Sequence, residues 1–181
     1  MSRLFVISGP SGVGKGTLIA KACEARPDLW LSISTTSRRP RPGEQDGVQY
    51  HFVTREEFET GITEGDFLEW AEYAGNYYGT SRPPVLAHLG EGRSVLLEID
   101  LQGARQVRTS HPEAVLIMIT PPSTAELAAR LRSRATDDEA TVERRLGLAR
   151  HELAAADEFD HVLVNSDIAE SSEQLLQLLD S

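Results

Sequence analysis

The chain has 181 residues, 40% of them hydrophobic and 25% charged, which is typical of one soluble globular unit. Its net charge of −10 disfavours a general nucleic-acid binder, and its single cysteine, Cys23, excludes an intramolecular disulfide and a cysteine-based zinc site. No apolar run approaches the ~20 residues of a membrane span, and no signal peptide precedes the first predicted strand, so we expect a cytoplasmic protein without a membrane partner.

A buried strand, a glycine-rich turn and a helix are the first predicted elements. Residues 4–7 are apolar and partly β-branched, which is typical of a fully buried strand. Gly9, Gly12 and Gly14 allow positive φ and close backbone approach in the turn, and the helix begins near Lys15. The N–H groups of such a turn and the helix dipole form a nest for phosphate oxygens, and Lys15 is placed to reach the outer phosphates of a nucleoside triphosphate. A glycine-rich turn without a ligand is the alternative.

The turn departs from the P-loop pattern at one position. The pattern places Ser or Thr directly after the lysine, whereas this chain has Gly16 there and the hydroxyl of Thr17 one place later. One residue rotates a side chain by about 100° around a helix, so Thr17 does not simply replace the missing hydroxyl. We therefore expect Mg²⁺ to be held by phosphates and water, with Thr17 as the one candidate side chain.

The next part of the chain is predicted to be rich in short strands. The first helix covers residues 15–25 and ends before Pro27, and a polar, proline-punctuated loop covers residues 34–44. Predicted strands lie at residues 29–34, 48–53 and 67–73, with a turn and more extended chain at 75–81. A capping box at residues 54–57 begins a short helix. Because it lacks long helices, this region resembles a small mixed-β insertion.

Strands and helices alternate in the remainder of the chain. Predicted strands lie at residues 95–100, 115–119 and 161–165, and predicted helices at 84–90, 103–110, from the capping box 123–126, from the capping box 136–139 to about 156, and after Asp167. This alternation indicates a parallel sheet covered on both faces. Ligands of such sheets bind at the carboxyl ends of the strands, where the P-loop, Asp100 and Asn165 are predicted to lie.

Taken together, these segments resemble the guanylate kinases, a family of nucleoside monophosphate kinases, over nearly the whole chain. The resemblance is carried by residues 9–15, 34–44, 67–70, 75–81, 99–103 and 130–145. It implies an α/β P-loop fold with a parallel core sheet flanked by helices, a mixed-β GMP-binding insertion and a helical lid. The implied division is core at 1–33, 83–121 and 147–181, GMP-binding region at 34–82 and lid at 122–146. The implied reaction is Mg²⁺-dependent transfer of the γ-phosphoryl group of ATP to GMP.

The resemblance also implies which residues bind GMP. It assigns the GMP phosphate to two arginines, whose planar forks suit phosphate oxygens, and to two tyrosine hydroxyls: Arg38, Arg41, Tyr50 and Tyr78. Guanine offers two donors, N1–H and the 2-amino group, that a carboxylate can accept, and the family uses Glu69 for this. Ser34, Thr80 and Asp100 assist it. Without the resemblance, Glu69 would be interpreted as an exposed strand residue.

The ATP-binding and catalytic residues are implied in the same way. ATP-binding residues are Gly9, Pro10, Ser11, Gly12, Val13, Gly14, Lys15, Gly16, Thr17, Arg134 and Asn165, and catalytic residues are Lys15, Arg38, Arg130, Arg134 and Arg145. Arg130 and Arg134 are spaced i, i+4, so they share a helix face, where two positive charges are unfavourable unless an anion lies between them. A solvated cationic helix face is the alternative interpretation.

Two other functions stay open at this point. A guanylate-kinase-like interaction module without catalytic activity would bind peptides, but such a module is expected to lack P-loop or lid residues that are present here. A kinase for another nucleoside monophosphate is suggested by the Gly16-Thr17 pair and disfavoured by Glu69, Ser34 and Thr80. The expected partners are ATP and GMP, and the expected state is a monomer or a small homo-oligomer that binds no nucleic acid.

Overall fold

The computed structural model describes residues 2–133 and 138–180, and the chain divides into two compact units. Unit one comprises residues 1–4 and 28–114, and unit two comprises residues 5–27 and 115–181. The strands are β1 (Leu4–Ser8), β2 (Trp30–Leu31), β3 (Thr35–Thr36), β4 (His51–Phe52), β5 (Phe67–Tyr73), β6 (Asn76–Ser81), β7 (Val95–Glu98), β8 (Val115–Thr120) and β9 (His161–Val164). The helices are α1 (Lys15–Ala25), α2 (Arg55–Glu64), α3 (Arg82–Gly90), α4 (Leu101–Ser110), α5 (Thr124–Ser133), α6 (Glu139–Leu153) and α7 (Ile168–Asp180), with a 3₁₀ turn at Ala156–Glu158.

Unit one holds a mixed sheet and a separate pair of parallel strands. The mixed sheet has the order β4-β3-β6-β5, in which β3 and β4 are parallel and the other neighbours are antiparallel. A bulge at Leu68 shifts the register of β5 against β6, so that Phe67 lies opposite Ser81 and Glu69 opposite Thr80. Strands β2 and β7 pair in parallel. The mixed-β insertion predicted from the sequence is confirmed.

Two helices of unit one begin at caps that fix their positions. Thr54 and Glu57 form the predicted capping box of α2, in which each side chain accepts from the other residue's backbone N–H. The carboxylate of Asp100 accepts from the backbone N–H of Gly103 at 2.8 Å, so α4 begins at Leu101. The prediction that this helix begins at Gly103 was therefore two residues late, because Asp100 was assigned to the preceding strand.

Unit two is built on three parallel strands in the order β1-β8-β9. All residues of β1 and β8 are buried, as expected for strands covered on both faces. Helices α1 and α7 pack together, and α5 packs against α6 through an apolar cluster of Leu127, Ala128, Leu131, Val142, Leu146 and Ala149. The P-loop follows β1 and Asn165 follows β9, so both lie at carboxyl ends of strands, as predicted.

Several predicted boundaries were wrong. The strands predicted at residues 29–34 and 48–53 shorten to β2 and β4, and α3 begins at Arg82 rather than near residue 84. Helix α6 is capped by Asp138, whose carboxylate accepts from the N–H of Thr141 at 2.8 Å. The capping box predicted at residues 136–139 includes Thr136, which lies outside the described residues. Within the described ranges, no helix has the length and apolarity to cross a membrane.

Candidate active site

The P-loop follows β1 in a conformation with positive φ at three glycines, Gly9, Gly12 and Gly14. Gly9 has a φ of +140° and Gly14 a φ of +97°, values that L side chains rarely adopt. A Cβ atom at Gly9 would lie 2.2 Å from the carbonyl oxygen of Ile119 on β8, and one at Gly14 would lie 2.5 Å from Nδ2 of Asn165. The loop backbone is therefore packed directly against β8 and against the segment after β9, which fixes where its N–H groups lie.

The first turn of α1 carries the predicted phosphate-binding residues. Gly14 is the N-cap, and no described side chain caps this helix end, so its first N–H groups are available to an anion. Nζ of Lys15 donates to the carbonyl oxygens of Gly9 at 2.6 Å and Pro10 at 3.2 Å. Thr17 is exposed one place beyond Gly16. A methyl group at Gly16 would meet no described heavy atom within 4 Å.

Asn165 is buried, only 1% exposed, and contacts the P-loop directly. Its Nδ2 donates to the carbonyl oxygen of Val13 at 2.8 Å. Its Oδ1 is also buried and has no hydrogen-bond partner among the described residues. Because an unpaired buried acceptor costs free energy, this oxygen is the atom of Asn165 that a ligand's donor would satisfy.

Arg130 reaches the same loop from α5. Its guanidinium donates to the carbonyl oxygens of Val13 at 3.4 Å and Asn165 at 3.0 Å, and it pairs with Glu126 at 2.6 Å. The carboxylate of Glu126, one turn earlier on α5, is the anion that Arg130 contacts in this structure. The predicted partner on the same face, Arg134, lies outside the described residues.

Helices α5 and α6 are also joined by an ion pair. Nη2 of Arg132 lies 2.6 Å from the carboxylate of Glu139 and 3.7 Å from that of Glu143. The remaining predicted lid residue, Arg145, is half-buried on α6. Helix α6 continues to Leu153, past residue 146 where the predicted lid ends.

In unit one, the side chain of Glu69 on β5 is buried, and so is that of Leu68 directly before it. Its side chain is 5% exposed, and its Oε1 accepts a hydrogen bond of 2.7 Å from the hydroxyl of Thr80 on the facing strand. The bulge at Leu68 places two consecutive residues, Leu68 and Glu69, on buried positions. The interpretation of Glu69 as an exposed strand residue is wrong for this reason, since regular alternation would bury only one of the two.

The surroundings of Glu69 disfavour the ionised form of its carboxyl group. Burial raises the pKa of Glu69 to about 7, the hydrogen bond from Thr80 opposes this increase, and the negative charge of Asp100 adds to it. Asp100 is exposed at the N-terminus of α4, where Gly103 fixes its carboxylate. A ligand that brings two N–H donors would stabilise the ionised form of Glu69, and guanine has such an edge.

A second polar cluster in unit one surrounds Arg38. Nη1 and Nη2 of Arg38 each lie 2.9 Å from a carboxylate oxygen of Glu44, a bidentate pair. The guanidinium carbon lies 5.4 Å from the centre of the Tyr50 ring, and the Tyr50 and Tyr78 rings meet edge to face at 5.9 Å. The structure thus brings together three of the four residues predicted to hold the GMP phosphate.

Two predicted GMP residues are less closely joined to these clusters. Arg41 is exposed, and its backbone N–H donates to Glu44 at 2.7 Å. Ser34 is half-buried, and its carbonyl oxygen accepts from the N–H of His51. Glu44 was assigned no role from the sequence, although it ties Arg38 to the backbone of Arg41. An Arg-Glu pair in a proline-stiffened loop was the available signal, but loop pairing has no fixed spacing.

The predicted GMP-binding and ATP-binding residues lie in different units. Every predicted GMP residue lies in unit one, and every predicted ATP residue that the structure describes lies in unit two. Among residues 2–133 and 138–180, no group of three His, Cys, Asp or Glu side chains could hold a metal ion.

Comparison with known proteins assigns the chain to a family. The model of the family described as "Guanylate kinase" matches residues 1–181. The chain belongs to the guanylate kinase family. A guanylate kinase of Streptomyces coelicolor is 56% identical over 176 residues, covering 97% of this chain and 89% of the relative. One from Synechococcus sp. strain CC9902 is 54% identical over 173 residues, covering 96% and 92%.

A solved structure agrees with this assignment. The crystal structure of guanylate kinase from Anaplasma phagocytophilum matches with a TM-score of 0.81 and 34% identity, covering 99% of this chain and 85% of that one. The α/β P-loop nucleoside monophosphate kinase fold predicted from the sequence is therefore confirmed. The enzyme is a phosphotransferase that phosphorylates GMP at the expense of ATP.

Proposed function

We propose that unit one selects GMP through the buried carboxylate of Glu69, while the P-loop of unit two holds the phosphates of ATP. The observation that carries this proposal is the placement of Glu69, which is 5% exposed and whose only hydrogen-bond donor among the described residues is Thr80. A buried carboxylate in need of donors matches the N1–H and 2-amino groups of guanine. Adenine offers no equivalent pair and would leave the acid unpaired, which rejects it.

The phosphate of GMP is held by the cluster around Arg38. Glu44 keeps the guanidinium of Arg38 in one orientation through two hydrogen bonds of 2.9 Å, beside the rings of Tyr50 and Tyr78. Arg41, exposed on the same loop, supplies a second positive charge. The nucleoside of GMP is bound by Glu69 together with Ser34, Thr80 and Asp100. These residues and the Arg38 cluster form the GMP half-site.

Catalysis is positioning and charge stabilisation. The γ-phosphorus of ATP bonds to a phosphate oxygen of GMP as its bond to the β,γ-bridging oxygen breaks, giving GDP and ADP. Negative charge spreads over the transferring oxygens, and the cationic side chains that stabilise it are Lys15, Arg38, Arg130, Arg134 and Arg145. When ATP binds, Nζ of Lys15 gives up its hydrogen bonds to the carbonyl oxygens of Gly9 and Pro10 and donates to phosphate oxygens instead.

The adenosine end of ATP lies near Asn165 in this proposal. Nδ2 of Asn165 is committed to the carbonyl oxygen of Val13, and its buried Oδ1 is without a described partner. The exocyclic amino group of adenine is a donor that would satisfy this oxygen. The turn from Gly9 to Thr17 binds the phosphates through its backbone N–H groups.

Mg²⁺ bound to the phosphates of ATP would neutralise part of their charge. The hydroxyl of Thr17, exposed in the first turn of α1, is the one side chain that we propose as an additional ligand of the ion.

We place the enzyme in the cytoplasm as a monomer or small homo-oligomer. We assign residues 34–82 to GMP binding, 122–146 to a lid and the rest to the core, since the mixed sheet falls within the first of these ranges.

An assay of ADP formation with GMP, AMP, UMP and CMP tests the proposal. We expect kcat/KM for GMP to exceed the others by about 10³-fold or more. Lys15→Ala should lower kcat by about 100-fold, whereas Lys21→Ala, a matched change at an exposed position of the same helix, should leave it unchanged. Comparable turnover of AMP or UMP would overturn the guanine assignment, and ADP formation with none of the four would favour the interaction module.

A further inference from the structure

Gly103 on α4 lies against the carboxylate of Glu69. A methyl group at Gly103 would lie 2.4 Å from Oε2 of Glu69, 3.0 Å from its Cδ and 3.3 Å from Cδ1 of Ile99. Non-bonded heavy atoms attract best at roughly 3.5–4.0 Å, so the contact with Oε2 would be strongly repulsive. With any larger residue at position 103, the carboxylate or the helix has to move.

The conformation of α4 does not itself require glycine at this position. Gly103 lies within the first turn of the helix and is not among the residues with positive φ. Glycine inside a helix lowers stability by roughly 0.5–1 kcal/mol relative to alanine. The close approach of Glu69 is therefore the feature that accounts for glycine here.

Helix α4 is fixed to β5 next to Glu69, so the helix resists moving away. Gln106, one turn after Gly103, accepts from the backbone N–H of Trp70 at 3.1 Å and donates to its carbonyl oxygen at 2.7 Å. Residues spaced i, i+3 share a helix face, so Gly103 and Gln106 both face β5. A methyl group at Gly103 would thus displace the carboxylate of Glu69 rather than the helix.

We propose that Gly103 is a positioning residue for base recognition. Its missing side chain makes room for Oε2 of Glu69, and its N–H holds the carboxylate of Asp100 at 2.8 Å. One backbone position thereby sets both acidic groups of the half-site. The inference deepens the proposed function and rests on the role given there to Glu69.

The first test is Gly103→Ala, with Gly147→Ala as the matched control. Gly147 lies inside α6, and a methyl group there would meet no described atom within 4 Å. For Gly103→Ala we expect the KM for GMP to rise about tenfold, the KM for ATP to stay unchanged, and the preference for GMP over IMP to fall about tenfold. IMP lacks the 2-amino group, so the GMP/IMP preference reports the contact between Glu69 and both guanine donors. If Gly103 had only a structural role, this preference would not change.

The second test is a double-mutant cycle with Glu69→Ala. The contact with Oε2 disappears in this background, so Gly103→Ala should cost nothing further in kcat/KM for GMP and should raise the thermal midpoint. An equal loss in both backgrounds, or an unchanged GMP/IMP ratio in Gly103→Ala, would overturn the inference. If Gly103→Ala fails to fold, recovery of the fold in the double variant supports the inference and its absence overturns it. Intact GMP preference in Glu69→Ala would instead overturn the proposed role of Glu69.

Discussion

Glu69 and Thr80 face each other across β5 and β6, and the hydroxyl of Thr80 donates to the carboxylate at 2.7 Å. A carboxylate that is 5% exposed and whose described donors all belong to Thr80 is poorly solvated. The arrangement leaves the acid dependent on its ligand for further donors. It couples base recognition to protonation, because burial raises the pKa of Glu69 to about 7.

The pH dependence of GMP use should report this pKa. Glu69 accepts from both guanine donors only when ionised, so kcat/KM for GMP should fall as pH decreases through about 7, approaching tenfold per unit. The GMP phosphate also titrates, near pH ~6. The pH profile of kcat/KM for Glu69→Gln shows the titration of the GMP phosphate without that of Glu69, so it serves as the control. If the two profiles superimpose between pH 6 and 8, Glu69 does not titrate in this range.

The same group should make stability depend on pH. Its pKa is about 7 in the folded enzyme and 4.5 in the unfolded chain, so between these values the folded state binds the extra proton. The stability contributed by the protonated carboxyl is complete below pH 4.5 and is lost as pH rises to 7, by about 3 kcal/mol. Glu69→Gln lacks this loss, so its thermal midpoint should rise relative to the parent between pH 5 and pH 8. A constant difference across this range would contradict the prediction.

Glu44 should act on GMP binding through Arg38. Glu44→Gln removes the charge of a bidentate pair, which frees Arg38 to rotate, so we expect KM for GMP to rise about tenfold with a smaller change in kcat. The control is Glu59→Gln, which breaks an exposed Arg-Glu pair with Arg55 on α2. A lower KM for GMP would show that Glu44 competes with the phosphate for Arg38.

Gly16 offers a test of how Mg²⁺ is held. Since Gly16 is helical and a methyl group there would meet no described heavy atom within 4 Å, Gly16→Ser should fold normally. The new hydroxyl stands where the P-loop pattern places one, and we expect a lower Mg²⁺ concentration for half-maximal activity with unaltered KM for GMP. Identical Mg²⁺ titrations at fixed ATP would mean that no hydroxyl is needed at this position or that Thr17 already serves.

Local signals in the sequence were sufficient for much of the fold. Helix α1 has the predicted bounds, and the capping box at Thr54 and the cap at Asp167 are as predicted, because each depends on residues within one turn. Resemblance to the family was needed for the candidate site. Glu69, Arg38 and Tyr50 come from separate segments, and no local pattern links them.

Other features depend on contacts between distant segments and were missed. The bulge at Leu68 exists only through pairing of β5 with β6, so no local pattern within β5 predicts that Glu69 is buried. The close approach of Gly103 to Glu69 joins residues 34 positions apart in sequence. Strands β2 and β4 are only two residues long, although Ser32 and Val53 just beyond them donate to the backbone carbonyls of Leu96 and Thr36. These features follow from tertiary packing rather than from propensity.

Kinetics of Glu69→Gln with GMP and IMP report whether the carboxylate of Glu69 selects guanine. Glutamine places an N–H₂ donor against a guanine donor, so we predict that kcat/KM for GMP falls at least ~100-fold while that for IMP falls much less. Glu72→Gln, an exposed change on the same strand, should leave both substrates unaffected. Unchanged GMP kinetics and an unchanged GMP/IMP ratio in Glu69→Gln would show that Glu69 does not recognise guanine.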